Sequence, residues 1–351
     1  MQYQQLGNTG IFVSRLCLGA MTFGDSGAIW KVIGGLSQHD TSTLVDASIE
    51  AGINFFDTAN VYSEGASEVV LGKALGTRRN NMVIATKVFG RVGEGPNEVG
   101  LSRSHIMREA EASLQRLNTD YIDLYQIHGF DPLTPLDETL RALDDLVRQG
   151  KVRYIGCSNL TAWQVMKSLG ISERQNLEKF VTLQAYYSLA GRDIEREIVP
   201  MLNDQKMGLL PWSPLAGGFL SGKFTRANQG ADGDARRSKF NFPPINLEKS
   251  YAIIETLQAV AKRKEATVAQ TALAWLLHQP FVTSVIIGAR SAAQLKDNLG
   301  SVDVQLDAND LKQIDDVSHL APEYPGWMQS MPSVRKPGEK RDWARALKAT
   351  S

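Results

Sequence analysis

Titratable side chains stand at the ends of several apolar runs in this sequence of 351 residues. Asp57, Lys87 and His128 each close such a run, and Tyr62 follows Asp57 after five residues. A carboxylate is costly to bury unless it meets a cation, and Lys87 is the cation that we expect Asp57 to meet. Titratable groups that close several successive apolar runs indicate a functional site, because chance would not place them at the same position in each run.

The apolar runs alternate with helical patterns, which indicates how these groups are positioned. Eight predicted strands begin at Leu16, Phe55, Met82, Ile122, Val152, Val181, Gly208 and Thr283. Most of these runs are continuously apolar, as in a parallel sheet that helices cover. Eight such units predict a (β/α)8 (TIM) barrel, whose active sites lie where the strands end. A doubly wound open sheet is the alternative, disfavoured because none of the strands precedes a Gly-x-Gly-x-x-Gly helix entry.

Several segments lie outside the strand–helix repeat. A β-hairpin is predicted around Gly7 to Gly10, before the barrel. Long loops are predicted from Phe23 to Asp40, with Thr41 capping the next helix, and from Ser213 to Asn246. We expect residues 1–320 to form the barrel domain, and residues 321–351, after a C-terminal helix, to form a tail over or near the barrel mouth.

Composition and charge narrow the classes of protein. The 38 basic and 38 acidic residues cancel, so a nucleic-acid partner is not expected. The sequence contains no apolar run of about 18 residues and no secretory signal, so we expect no membrane span and a cytoplasmic location. Cys17 and Cys157 lie in strand-like runs and are expected to be buried, reduced thiols. No metal site is predicted.

Longer stretches of the sequence resemble the aldo-keto reductases. The stretches that match in order and spacing are Gly52 to Tyr62, Asp123 to His128, Ile155 to Asn159, Trp212 to Gly218 and Gly288 to Asn298. The resemblance covers roughly residues 3 to 320 and is strongest to the branch of bacterial reductases and potassium-channel β subunits. Each stretch alone is weak evidence, but the joint pattern is specific.

The resemblance implies acid–base roles for the four titratable groups. Tyr62 would be the proton donor, Lys87 and Asp57 its charged partners, and His128 the fourth member of the site. A neighbouring ammonium favours the ionised form of a phenol, which makes the phenol a better acid near neutral pH. The reaction implied is reversible reduction of an aldehyde or ketone to an alcohol, by hydride transfer from a nicotinamide.

A nicotinamide cofactor is implied because no side chain can supply a hydride. By the resemblance, Ser158, Asn159 and Gln184 would hold the carboxamide, and Trp212 would stack on the ring. Glycines in the following loop would let the backbone approach the pyrophosphate. The residues expected there are Ser213, Pro214, Leu215, Gly217, Gly218 and, further on, Lys223.

NADP(H) is the predicted cofactor, and use of NAD(H) stays open. Many relatives carry a Lys-Ser pair for the 2′-phosphate, whereas this sequence has Gly288-Ala289-Arg290-Ser291. Arg290 can bind a phosphate with two hydrogen bonds, and Ser291 and Gln294 can add others. Asn298 would reach the adenine.

Substrate selectivity is expected to come from the long loops and the tail. Several aromatic side chains could line an apolar pocket around the carbonyl, although each is at least as likely to be plain packing. The candidates are Trp30, Phe89, Phe130, Tyr324 and Trp327.

Two other functions stay open from the sequence. One is a regulatory subunit that binds the cofactor and reports redox state to a partner. The other is a lyase or isomerase that uses Lys87 in a Schiff base, which is weakened because Asp57 would keep Lys87 protonated.

Overall fold

The computed structural model describes residues 1–228, 237 and 241–329. The chain divides into two compact units, Met1–Ser318 and His319–Ser351. The described part of the second unit holds a short helix, Gly326–Gln329, which includes the predicted pocket residue Trp327. Residues 330–351, most of the predicted tail, lie outside the described residues.

A parallel eight-stranded barrel forms the body of the first unit, as predicted. An antiparallel hairpin of β1 (Tyr3–Gln5) and β2 (Phe12–Ser14) precedes it. The barrel strands are β3 (Leu16–Gly19), β4 (Phe55–Asp57), β5 (Val83–Val88), β6 (Ile122–Ile127), β7 (Val152–Ser158), β8 (Phe180–Tyr186), β9 (Gly208–Trp212) and β10 (Val285–Ile287).

Their order in the sheet is β10-β3-β4-β5-β6-β7-β8-β9, so each strand pairs with its neighbours in the chain. The two ends of this order meet through a parallel bridge between Leu209 and Val282. The amide nitrogen of Thr283 also donates a hydrogen bond of 2.9 Å to the carbonyl of Leu209, which leaves the barrel nearly closed.

Helices surround the strands, as the alternating pattern predicts. They are α1 (Ala28–Ile33), α2 (Gln38–Glu50), α3 (Ala66–Leu75), α4 (Arg103–Leu117), α5 (Leu136–Arg148), α6 (Ala162–Gln175), α7 (Ile198–Gln205), α8 (Leu247–Arg263), α9 (Val268–Leu277), α10 (Ala292–Leu299) and α11 (Ala308–Ser318). No helix in the described part of the chain is long and apolar enough to cross a membrane.

The core has two layers because neighbouring residues of a strand point to opposite faces. Cys17 and Phe55 belong to an inner cluster inside the barrel, and Leu16 and Leu18 belong to the outer cluster beneath the helices. Leu6 of the hairpin is fully buried in the inner cluster. The hairpin therefore closes the end of the barrel opposite the strand ends that carry the site. Both cysteines are buried free thiols, as predicted.

Some predicted element boundaries are wrong. The predicted loop from Phe23 to Asp40 contains α1 and the start of α2, because Ser37, and not Thr41, caps α2 by accepting a hydrogen bond from the Asp40 amide. This polar first turn lacks the apolar periodicity on which the prediction relied.

Two helices further along the chain also differ from the prediction. The sequence pattern predicts a helix from Ala162 to Leu169, whereas α6 runs six residues further, to Gln175, because Gly170 interrupts the pattern without ending the helix. The pattern also predicts one helix from Ile194 to Gln205, whereas the structure has a 3-10 turn, Asp193–Glu195, followed by α7.

Candidate active site

The polar strand-end residues meet at one face of the barrel, as their positions in the sequence predict. Asp57, Ser158 and Trp212 are the last residues of β4, β7 and β9, and His128 follows β6 directly. A cavity of about 280 Å³ opens at this face. Ten predicted site residues line it: Asp57, Tyr62, His128, Ser158, Asn159, Gln184, Trp212, Ser213, Pro214 and Gly288.

Lys87 lies beneath this cavity, fully buried on β5. Its Nζ donates hydrogen bonds to Asp57 Oδ2 at 2.6 Å and to the Thr58 carbonyl at 2.8 Å. Strand register explains the pairing, because Asp57 lies opposite Ala85, and Lys87 follows Ala85 by two residues on the same face. Burial acts against the ammonium, but Asp57 and Tyr62 outweigh it and raise the pKa of Lys87. Lys87 is therefore protonated, which disfavours its use in a Schiff base.

The second carboxylate oxygen of Asp57 is held by two amides. Gln184 Nε2 donates to Asp57 Oδ1 at 2.8 Å, and Gln126 Nε2 donates at 3.3 Å. Asp57 thus has a cation on one oxygen and neutral donors on the other, which offsets the cost of burying its charge. Gln126 was missed in the sequence; its only signal was a polar residue inside the apolar run of β6.

Tyr62 is the first residue of a 3-10 turn, Tyr62–Gly65, which is the next element after β4 in the chain. Its hydroxyl oxygen is 3.4 Å from Lys87 Nζ, and the edge of the His128 ring faces its ring at a centroid distance of 5.8 Å. The next two residues, Ser63 and Glu64, have left-handed φ angles of 48° and 55°, which is costly for residues other than glycine. Ser63 Oγ holds this backbone by donating to the Phe23 carbonyl at 2.8 Å.

His128 is neutral in this environment. Burial, and secondarily the charge on Lys87, lowers the pKa of His128 to about 3. A neutral imidazole keeps one N–H donor, so His128 can still donate a hydrogen bond to an oxygen in the cavity. The ring is thus available as a neutral donor near neutral pH.

The three residues predicted to hold a carboxamide differ in how they are engaged. Ser158 Oγ is buried at the cavity and has no hydrogen-bond partner among the described residues. Asn159, by contrast, donates to the His128 carbonyl at 3.0 Å and accepts from Trp212 Nε1 at 3.0 Å. Gln184 donates to Asp57. Asn159 and Gln184 therefore also hold this face of the barrel together.

Trp212 packs between two other aromatic rings. Phe242 lies nearly parallel to it, with a centroid distance of 5.6 Å and an interplanar angle of 9°. Tyr186 lies at 5.2 Å with a tilt of 38°. Phe242 also lines the cavity, and no sequence signal distinguished it within the predicted loop from Ser213 to Asn246.

A second cavity of about 290 Å³ adjoins the first. The two share five lining residues: Thr22, Ser213, Pro214, Ile287 and Gly288. Seven more residues predicted to bind the rest of a dinucleotide line the second cavity, namely Leu215, Gly217, Gly218, Lys223, Arg290, Gln294 and Asn298. Ser291 lines neither cavity and caps α10. The other predicted cofactor residues therefore line two adjoining cavities.

Gly217 shows why this loop needs glycine. Its φ of +67° is left-handed, and a Cβ there would lie 2.4 Å from the carbonyl oxygen of Phe242. The buried Arg237 joins the same two segments, because it donates to the carbonyls of Ala216 and Pro243, each at 2.9 Å. The segment with Phe242 thus packs directly against the predicted pyrophosphate loop.

Arg290 lies against the end of α1. Its guanidinium donates to the carbonyl of Val32 at 2.8 Å and to that of Ile33 at 2.8 and 3.1 Å. Gln294 Oε1 accepts from the Arg290 amide at 2.8 Å, and Asn298 Nδ2 donates to the Gly288 carbonyl at 3.1 Å. A phosphate at Arg290 would share the guanidinium with these carbonyls or displace them.

The predicted substrate-pocket aromatics are not all in one place. Trp30 lies beside Tyr62, at a ring-centroid distance of 5.5 Å. Phe130 pairs with Trp163 instead, at 6.2 Å. Among the described residues, neither Phe89 nor Phe130 lines either cavity, and Trp327 belongs to the second unit.

Enzymes with a (β/α)8 barrel carry their active sites at the carboxyl ends of the strands, where these groups lie. A family model described as the aldo/keto reductase family matches residues 15–319, and the chain belongs to this family. This confirms the resemblance seen in the sequence.

Known relatives cover most of the chain. It is 39% identical over 328 residues to the uncharacterized oxidoreductase YrpG of Bacillus subtilis, covering 90% of this chain and 96% of the relative. It is 37% identical over 316 residues to a probable voltage-gated potassium channel subunit beta of Arabidopsis thaliana, with coverages of 87% and 92%. It is 34% identical over 336 residues to the versiconal hemiacetal acetate reductase of Aspergillus parasiticus, with coverages of 90% and 96%. The family and these names support an oxidoreductase.

Proposed function

We propose that the protein is an NADP(H)-dependent reductase that reversibly converts an aldehyde or ketone into an alcohol, with Tyr62 as the proton donor. The observation that carries the proposal is the geometry around Lys87. Its ammonium is buried 2.6 Å from Asp57 and 3.4 Å from the Tyr62 oxygen, and that phenol lines a cavity. A network that merely held the barrel together would not need its phenol at a cavity wall.

Each side chain has a distinct part in the proposed chemistry. Asp57 keeps Lys87 charged and fixed, so the field at the Tyr62 oxygen is in place before reaction. That field stabilises the phenolate left when Tyr62 gives its proton to the forming alkoxide. His128, neutral, donates a hydrogen bond that orients the carbonyl oxygen. General acid catalysis of this kind is worth about 10²- to 10⁴-fold.

The two adjoining cavities fit a nicotinamide dinucleotide, which would supply the hydride. Ser158 Oγ, buried without a described partner at the catalytic cavity, is suited to a carboxamide. Gly217 and Gly218 allow close backbone approach, and Lys223 and Arg290 supply positive charge at the second cavity. Arg290 and Gln294 favour the 2′-phosphate of NADP(H), because a guanidinium forms strong, paired hydrogen bonds with phosphate.

The test is NADPH oxidation by the purified protein with 4-nitrobenzaldehyde, an activated aromatic aldehyde. We expect turnover that falls by at least about 10²-fold in Tyr62→Phe. Tyr251→Phe is the matched control, because it removes a phenol from α8, away from both cavities. Equal rates in wild type and Tyr62→Phe would refute the role of Tyr62.

Cofactor preference is tested separately with Arg290→Met. We expect NADPH to bind about tenfold more weakly, with little change for NADH, because only NADPH carries the 2′-phosphate. An equal loss for both cofactors would show that Arg290 acts through α1 and does not read the phosphate.

A second candidate function is a cofactor-binding regulatory subunit with little turnover. The observation that favours it is the identity of 37% with a probable voltage-gated potassium channel subunit beta. Tight NADPH binding without oxidation across a panel of aldehydes and ketones would support this reading over the reductase.

A further inference from the structure

A charged network lies behind the loop that carries Tyr62, and its three members, Glu68, Arg116 and Glu109, do not line the cavities. Arg116 Nε donates to Glu68 Oε2 at 2.6 Å, and Arg116 Nη2 lies 3.6 Å from Glu109 Oε2. Glu68 is fully buried on α3 and Glu109 is 4% exposed on α4. We call these three residues the Arg116 network. One guanidinium thus serves two buried carboxylates.

This network reaches the catalytic face at both ends of the Lys87–Tyr62 contact. Thr86, the neighbour of Lys87 on β5, donates to Glu68 Oε1 at 2.5 Å. Asn60, two residues before Tyr62, donates from its side chain to Glu109 Oε2 at 3.1 Å. The backbone amide of Asn60 donates to the Lys87 carbonyl at 3.1 Å. The network is therefore joined to β5 and to the Tyr62 loop by side-chain hydrogen bonds.

Arg116 also packs against the far side of the same loop. Gly65, three residues after Tyr62, has a φ of +90°, and a Cβ there would lie 2.9 Å from Arg116 Cδ. Ser63 and Glu64, between Tyr62 and Gly65, have the costly left-handed conformation described above. Such a conformation persists only where the surroundings enforce it, and Arg116 is one of those surroundings.

We propose that Arg116, through Glu68 and Glu109, is a positioning residue that sets the distance between the Tyr62 oxygen and Lys87. The proposal rests on the proposed reductase function. A displacement of about 1 Å at a reacting group can cost about 10²-fold in rate, so a modest shift of the loop should appear in kcat. Arg116 lines neither cavity, so KM and the Kd for NADPH should change little.

Arg116 also joins α3 to α4, so its loss will cost stability as well as position. Arg148→Met is the matched control, because Arg148 Nε donates to the buried Asp144 at 2.5 Å on α5, away from Tyr62. Arg116→Lys keeps the charge. Asn60→Ala removes only the side-chain hydrogen bond between the Tyr62 loop and Glu109. This variant replaces Arg116→Met in the test if Arg116→Met does not fold.

Two readouts test the proposal. One is steady-state reduction of 4-nitrobenzaldehyde with NADPH. The other is ¹⁹F NMR of protein labelled with 3-fluorotyrosine, with the Tyr62 resonance assigned by its absence in Tyr62→Phe. In Arg116→Met we expect kcat to fall about 10-fold or more, with KM and Kd within about threefold, and the Tyr62 resonance to move. Arg116→Lys should recover part of kcat, and Arg148→Met should change neither readout.

A kcat within about twofold of wild type in Arg116→Met, or an unmoved Tyr62 resonance, would overturn the proposal. So would an equal loss of kcat in Arg148→Met, because general destabilisation would then explain it. In Asn60→Ala we expect the Tyr62 resonance to shift and kcat to fall about three- to tenfold. If wild type reduces no carbonyl, the proposed function fails, and the Tyr62 resonance still decides the positioning role.

Discussion

Replacing Lys87 with methionine should destabilise the fold. The change leaves Asp57 buried with donors from Gln126 and Gln184 but without its cation. Removing one partner of a buried ion pair typically costs about 3–5 kcal/mol, because the other charge stays uncompensated. Methionine has a similar length, so the loss of packing should be small beside this electrostatic cost.

A second substitution separates the electrostatic part of this cost from the packing part. Asp57→Asn, added to Lys87→Met, replaces the orphaned carboxylate with a neutral amide of nearly the same shape. The double variant should therefore recover most of the loss, because no uncompensated charge stays buried.

The assay is urea unfolding of wild type, Lys87→Met and the double variant at about pH 7, followed by far-UV circular dichroism. We expect the unfolding free energy of Lys87→Met to be about 3–5 kcal/mol below that of wild type, and that of the double variant to recover most of the difference. A deficit below about 1 kcal/mol in Lys87→Met would refute the reasoning. So would a double variant no more stable than the single one.

Three further predictions concern His128, the far end of the barrel and the glycine loop. Burial and Lys87 lower the pKa of His128 to about 3, so below about pH 6.5 the unfolded chain protonates this ring while the folded protein does not. The free energy of unfolding should therefore decrease as pH falls below about 6.5. Urea unfolding of His128→Gln should show a weaker dependence of that free energy on pH. Arg79 is 2.9 Å from Asp123 at the end of the barrel away from the cavities. Arg79→Met should therefore lower the free energy of unfolding by about 3 kcal/mol, measured by thermal unfolding, and leave the Kd for NADPH unchanged. A changed Kd would contradict this prediction. Gly217 and Gly218 both have a left-handed φ (+67° and +94°), but only a Cβ on Gly217 would meet another atom, the Phe242 carbonyl oxygen at 2.4 Å. Gly217→Ala should therefore weaken NADPH binding about tenfold by fluorescence titration, and Gly218→Ala should weaken it less; the reverse order would show that the clash is relieved.

The repeat of strands and helices was readable because it depends on local patterns. Most barrel strands are continuous apolar runs, and each polar residue that closes a run lies at the same end of the barrel by topology alone. This is why the pairing of Asp57 with Lys87 was predictable without any contact information. The start of α2 was not, because a single hydrogen bond at Ser37 decides it in a stretch without apolar periodicity.

The sequence alone determined the class of fold, the face that carries the site and most of the polar residues that line it. Only the tertiary structure decided how those residues are used, because side chains from segments far apart in the chain compete for the same partners. Gln126 and Gln184 converge on one oxygen of Asp57 across three strands. Arg290, expected to be available for a phosphate, binds carbonyls of α1 about 257 residues away in the chain. Such contacts follow from which side chains the closed barrel brings within hydrogen-bonding distance, and no local pattern records that.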